Sequence, residues 1–247
     1  MSDFDLTIIY LTVSAMPSKW LAFHMGHLLC AAHDRPMVVI SKDQMELGRP
    51  NTEYLIQEGP YGYWNIYRQL CRGAKLAETK FVATAEDDVL YPPHHFREFR
   101  PPDNAVSYNR ARWSLFTWDA IYCLRQRICN CTLIAPRELL IEALEERMAK
   151  NPDGDAYLDQ HVGEVGRPFV DRRLGVTRRK SVEWWSTVPV VQLCHPTGSE
   201  AASRNSFKRH GQLKAHDIPY WGSSKTIASE YLGRPAVVDK KHCEVAT

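Results

Sequence analysis

Lys80-Phe-Val-Ala-Thr-Ala-Glu-Asp-Asp-Val-Leu-Tyr-Pro-Pro-His-His-Phe96 decides the fold. Phe81 to Ala85 are apolar or small apart from one threonine, the composition of a central strand covered on both faces. Such a strand cannot hold Glu86, Asp87 and Asp88 unpaired within its body, because desolvating a bare charge is costly. The three acids therefore belong at its carboxyl end, where open α/β sheets keep their ligand crevice. Contiguous carboxylates repel one another, and a hard divalent cation with oxygen ligands is their natural offset. The exit, Val89-Leu90-Tyr91-Pro92-Pro93, is apolar and stiffened by fixed proline dihedrals, which suits a rigid corner better than a solvated turn.

The flanking segments give this strand its setting. Leu6 to Val13 is rich in β-branched residues and reads as a first strand. Lys19 to Ala32 has helical spacing, with Trp20, Phe23, His24, His27 and Leu28 along one side. Pro36 to Ile40 is a second buried strand that ends at Ser41-Lys42-Asp43. Gly48 to Gly62 is a polar stretch punctuated by Gly and Pro, expected to be a loop. Tyr63 to Ala77 then reads as a helix packed through Ile66, Leu70 and Ala74. Strand, helix, strand, helix, strand implies a mostly parallel central sheet flanked by helices, an α/β fold. Downstream, Ala105–Tyr108, Ala120–Leu124 and Thr132–Ala135 are short strand candidates. Pro136 to Lys150 is a helix with proline in its first turn, and Val188 to Leu193 is a last strand delivering Cys194 and His195. With no internal repeat or linker, one domain spans 1–247, its halves meeting near residue 100.

Bulk properties narrow the class. A chain of 247 residues with 44% apolar and 24% charged content suits one sizeable soluble domain. No run is long and apolar enough to cross a membrane, and Met1 is not followed by a basic-then-apolar leader, so a cytoplasmic protein is expected, in the host cytoplasm if viral. Cys129 and Cys131 are too close together for a zinc knuckle and have no complementary pair, so reduced, mostly buried thiols are expected. A net charge of +2 does not make an obligate polyanion binder. Arg172, Arg173, Arg178, Arg179 and Lys180 nevertheless crowd one segment, and Arg204, Lys208, Arg209 and His210 another.

The order of elements, the Ser-Lys-Asp strand end and the string Ala85-Glu-Asp-Asp-Val-Leu-Tyr-Pro-Pro-His-His-Phe96 resemble a nucleotide-sugar-dependent glycosyltransferase of the GT-A (Rossmann-like) fold. Residues 79–96 carry the specific likeness, to the EDD version of the family's DxD motif and to small soluble virus-associated members. The resemblance implies Mn2+ or Mg2+ bridging the two phosphates of a nucleoside-diphosphate sugar, most simply a UDP-sugar. It implies Asp88 as metal ligand, with Glu86 and Asp87 on the ribose, the ion's waters or the donor sugar, and His195 as second ligand. It places the donor's base and ribose over the first strands, near Thr12, Ser14 and Asp43, with Asn65, Arg68 and Gln69 on the helix before the acids. An inverting member also needs a carboxylate base, and Asp155, Asp159 and Glu164 occupy the region where the family keeps it. Glu164, between Gly163 and Val165-Gly166, looks most like part of an active-site loop. Trp118 and Trp184-Trp185 could offer aromatic platforms, although core packing is the commoner fate of a tryptophan.

The resemblance to virus-associated members points to a hydroxymethylated pyrimidine in DNA as acceptor, with Arg172, Arg173, Arg178 and Arg179 on its phosphates. A polysaccharide, glycolipid or protein is the other acceptor class. Two further functions compete. A metal-dependent nucleotidyltransferase or nuclease would use the same acids, but a nuclease usually gathers carboxylates from several strands and only one dense cluster exists. A non-catalytic nucleotide-sugar-binding module would keep its partner after losing the metal. No Gly-x-x-x-x-Gly-Lys-Ser/Thr occurs, which argues against ATP hydrolysis of the P-loop type.

Overall fold

The computed structural model describes residues 4–60, 62–125, 127–152, 163–195 and 213–233. Asp155 and Asp159, like Arg204, Lys208, Arg209 and His210, lie outside them. The first 90 residues alternate β1 (Leu6–Thr12), α1 (Ser18–Ala32), β2 (Met37–Ser41), β3 (Thr52–Ile56), α2 (Tyr63–Leu76), β4 (Phe81–Glu86) and β5 (Val89–Leu90). Then come α3 (Pro93–Arg97), β6 (Ala105–Asn109), β7 (Arg112–Phe116), β8 (Ile121–Leu124), β9 (Leu133–Pro136) and α4 (Arg137–Lys150). The remaining described elements are α5 (Pro168–Arg173), β10 (Lys180–Trp184), β11 (Val190–Cys194), β12 (Lys214–Ala215), β13 (Asp217–Ile218), β14 (Gly222–Ser223) and α6 (Ser224–Leu232).

The central sheet has seven strands in the order β10-β6-β9-β4-β1-β2-β3. β3, β2, β1 and β4 run parallel, β9 is antiparallel to β4 and β6, and β10 is parallel to β6. The order 3-2-1-4 is that of one half of a doubly wound sheet, so the expected α/β class holds. Every residue of β1 is buried. Leu6, Ile8 and Tyr10 pack with Leu28 and Ala31 of α1, while Ile9 and Leu11 pack with Leu70 and Ala74 of α2 and Leu140 and Leu144 of α4. Alternate residues thus feed two cores, one on each face. Gly73 lets α2 approach this closely, since a Cβ there would stand 2.7 Å from Ile9 Cγ2 and 3.1 Å from Ile40 Cδ1.

Three expectations need correcting. The stretch expected as a loop before α2 contains β3, an edge strand in parallel register with β2 whose Glu53 and Tyr54 are exposed. A half-solvated edge carries little of the apolar signal on which recognition from sequence depends. β7 and β10 were not anticipated, because Arg112-Trp-Ser-Leu-Phe116 and Lys180-Ser-Val-Glu-Trp184 mix charge with apolar residues. The molecule also has a second sheet, of five strands in the order β12-β8-β7-β11-β5. Its Leu90, Leu115, Tyr122, Val191 and Leu193 pack with Trp20 of α1 and with Ile218, Trp221 and Ile227.

β4 belongs to the first sheet and β5 to the second, with only Asp87 and Asp88 between them. The acids are therefore the seam where the chain leaves one sheet for the other.

Candidate active site

Backbone hydrogen bonds from both sides fix the seam. Trp20 Nε1 donates to the Asp87 carbonyl at 2.8 Å. His24 Nε2 lies 3.0 Å from the carbonyls of both Glu86 and Val89; facing two acceptors, it must carry the proton. Burial lowers the His24 pKa to about 4, so the ring is neutral near pH 7. Tyr91 accepts the Glu86 N–H at 3.0 Å and donates to the Cys131 carbonyl at 2.9 Å. From the second sheet, Leu193 N donates to the Asp88 carbonyl at 2.7 Å.

The side chains are less well provided for. Thr12 Oγ1, at the end of β1, donates to Asp87 Oδ2 at 2.6 Å. Gln192 hydrogen-bonds the Asp88 carboxyl and accepts from Arg112 Nη1, which makes a relay from Arg112 through Gln192 to Asp88. Asp88 Oδ1 is buried and has no hydrogen-bond partner among the described residues. Burial, followed by repulsion from Asp88, Cys129 and Asp87, pushes the Glu86 carboxyl well above the usual range, with Arg112 opposing. Burial and the charges of Asp87 and Cys129 do the same to Asp88, and burial raises Asp87 more modestly. The corner thus holds more acid than its own cations offset.

The sequence candidates divide. Thr12 stands at the corner, and Ser14, at a left-handed φ of 57°, sends its N–H to Thr12 Oγ1 at 3.0 Å. Asp43 is exposed beyond β2, and its carbonyl accepts from Ser41 Oγ at 2.6 Å. Asn65 is buried and accepts from Gln69 Nε2 at 2.9 Å. Arg68 donates to the Pro152 carbonyl at 2.7 Å and lines a shallow cavity of about 460 Å³ with Gln69, Arg72 and Lys75, none of which is an acid-corner residue. His195 follows β11, buried, its ring centroid 5.5 Å from that of Tyr231, and burial lowers its pKa. Among the described residues no three His, Cys, Asp or Glu side chains stand together as a metal-binding group, so His195 does not complete one with the acids.

Glu164 is buried, with Arg167 Nη1 3.3 Å from Oε2. Arg147 holds the adjoining backbone, donating to the carbonyls of Gly163 at 2.7 Å and Glu164 at 3.2 Å. Sequence reasoning missed Trp20 and His24 as clamps, and Arg112 and Gln192 as the relay. Alternation along Val190–Cys194 gives the one available hint, since Gln192 is the polar residue in an otherwise apolar strand. Of the arginines expected on phosphates, Arg172, Arg173 and Arg178 are exposed, with Arg173 4.2 Å above the Phe169 ring. Arg179 is paired with Glu142 and Glu146, each at 3.4 Å.

No protein-family model matches the chain, and no curated protein matches it in sequence. Solved structures resemble it in part. A glycosyltransferase involved in glycosylating the major capsid of PBCV-1 superposes over 80% of this chain and 96% of its own, with 10% identity and a TM-score of 0.45. A putative nucleotide-diphospho-sugar transferase from Desulfovibrio desulfuricans G20 covers 92% and 95% at 10% identity, with a TM-score of 0.42. A nucleotidyl transferase from Methanothermobacter thermautotroptrophicus covers 74% and 88% at 14% identity, with a TM-score of 0.41. Likeness at this level describes an arrangement of strands and helices and assigns no chemistry. No helix among the described residues is long and apolar enough to cross a membrane.

Proposed function

We propose that the protein transfers a sugar from a nucleoside-diphosphate sugar to an acceptor hydroxyl, with Mn2+ or Mg2+ at the acid corner. The observation that carries this reading is Asp88 Oδ1, a buried carboxylate oxygen without a partner among like charges, at the carboxyl end of β4. The donor set fits a hard cation, being oxygen only and in excess of local positive charge. Asp88, with Glu86 beside it, would hold the ion. When bound, the ion supplies Lewis-acid stabilisation of the charge left on a departing diphosphate. The protein's own residues do the positioning: Thr12 orients Asp87 toward the end of β1, where the ribose would lie, and the Arg112–Gln192 relay turns Asp88. Glu164, fixed through its backbone by Arg147, is the base candidate among the described residues. A UDP-sugar is the first donor to try.

The test is thermal stability with a panel of nucleoside diphosphates, with and without Mn2+, on the wild type and Asp88→Asn. At a hundred times its dissociation constant a native-state ligand adds about 2.7 kcal/mol. A manganese-dependent rise with one nucleotide, lost in the variant, is the expected result, and no rise with any nucleotide overturns the reading. A response to nucleoside triphosphates alone would point to nucleotidyl transfer instead.

For the acceptor, the finer reading is a hydroxymethylated pyrimidine in DNA, supported by the exposure of Arg172, Arg173 and Arg178. Replacing any one of these arginines should lower the salt dependence of DNA binding by nearly one counterion. Binding that ignores salt and survives replacement of all three would leave a polysaccharide, glycolipid or protein as acceptor.

A further inference from the structure

Cys129 and Cys131 flank the acid corner, and their sulfurs lie 3.2 Å apart with the Cys131 S–H directed at Cys129. Residues two apart span at most about 7 Å, close to the Cα separation a disulfide bridges. The turn that carries them is tied down on all sides. Tyr91 donates to the Cys131 carbonyl at 2.9 Å, Thr132 Oγ1 to the Cys129 carbonyl at 3.0 Å, and Thr84 to the carbonyl of the intervening Asn130. The two thiols differ in access, Cys131 being fully buried and Cys129 partly exposed. The Cys131 hydrogen bond, helped by Arg112, holds the Cys129 thiol down at about 6 against the effect of burial. Buried structural cysteines are ordinarily inert, whereas a partly exposed sulfur with a donor and a cation beside it is a nucleophile.

We propose that Cys129 and Cys131 are a redox-active dithiol that closes to an intramolecular disulfide by exchange with a low-molecular-weight disulfide, Cys129 attacking and Cys131 resolving. The Cys129 thiolate attacks one sulfur of R–S–S–R. That bond breaks, and the departing RS– takes up a proton. Cys131 then gives its proton to solvent and attacks Cys129 Sγ, expelling the second RS– as RSH. Two protein thiols are oxidised by two electrons, and one disulfide is reduced to two thiols. The chemistry of the pair stands apart from the transferase reading, and its test uses neither nucleotide nor metal.

The whole protein is incubated with oxidised glutathione near neutral pH, its remaining thiols are alkylated, and it is digested with trypsin. Cleavage after Arg127 and Arg137 releases Ile128–Arg137, which contains these two cysteines and no other. The expected peptide is unalkylated and about 2 Da lighter than the dithiol, and it forms before the exposed Cys30 is half converted. In Cys131→Ser the mixed disulfide should instead persist on Cys129. Recovery of wild-type peptide alkylated at both sulfurs, at a time when Cys30 carries glutathione, overturns the proposal. So does an Ile128–Arg137 mixed disulfide that never closes.

Discussion

Two of the buried charge groups among the described residues are built on opposite terms. At one, Arg147 and Asp171 are 1% and 2% exposed, their side chains are 2.9 Å apart, and Arg147 also serves the carbonyls of Gly163 and Glu164. Asp171 is completed by the Arg179 N–H at 3.2 Å. At the other, three adjacent carboxyls share one relayed arginine, and an oxygen of Asp88 has no partner among the described residues. The first group answers its own desolvation internally, as structural ion pairs must. The second does not, and that deficit is what the proposed cation would make up. Completeness of hydrogen bonding, more than burial, separates these two charge groups.

The contrast can be broken experimentally. The largest effect should come from Arg147→Leu, which strands Asp171 and should cost about 3–5 kcal/mol in urea denaturation. The double variant Arg147→Leu/Asp171→Leu should recover much of that loss, and an equal loss in both would mean that the ion pair is not the reason. Asp88→Asn should do the reverse, stabilising the metal-free protein above neutral pH by about 1–3 kcal/mol, because it removes an unanswered charge. The pH dependence follows in sign. Glu86 and Asp88 have raised pKa values in the folded state, so between the ordinary carboxylate range and those raised values the folded protein keeps protons that the unfolded chain has released. Their contribution therefore falls as pH climbs from the ordinary carboxylate range through the raised values. Melting curves of chelator-treated protein should show that decline, shallower in Asp88→Asn. Trp20→Phe deletes one donor to the acid turn and should cost about 1 kcal/mol, read from the same denaturant midpoints. Arg179→Ala, whose partners are partly exposed glutamates, should cost under about 1 kcal/mol and leave the salt dependence of DNA binding unchanged.

How much of this was legible in the sequence depended on how one-sided each segment's environment is. β1, β2 and β4 are covered on both faces, so their apolar runs declared them, and the charges at the end of β4 declared its terminus. β3 is half-solvated, and β7 opens on a buried arginine that Gln192 and the Arg127 carbonyl meet. No local pattern encodes such a bargain between segments distant in sequence. The same holds at the site. Glu86, Asp87, Asp88 and Thr12 could be found from strand ends, whereas Trp20 and His24 looked like any apolar side of a helix. Cys129 and Cys131 were expected as free thiols and are so. What spacing could not tell is that they face one another beside the acids.

The seam itself has a further consequence. The chain passes from the first sheet to the second at β4–β5, again at β6–β7 and again at β10–β11. Buried Asn109 ties the last two passages together, its Oδ1 accepting from the N–H groups of Ala111 and Ser186 and its amide donating to Ser186 Oγ. Two of the three crossings are thus bolted to each other, and the third is held by the donors of Trp20, His24 and Leu193, which leaves the joint little freedom to open or twist. A guest bound at Asp88, as proposed above, would meet a corner already set, so its affinity would come from contacts and would not be diminished by ordering the host. Selectivity at such a corner would be that of a mould, admitting by size and charge, and not that of a hand that closes.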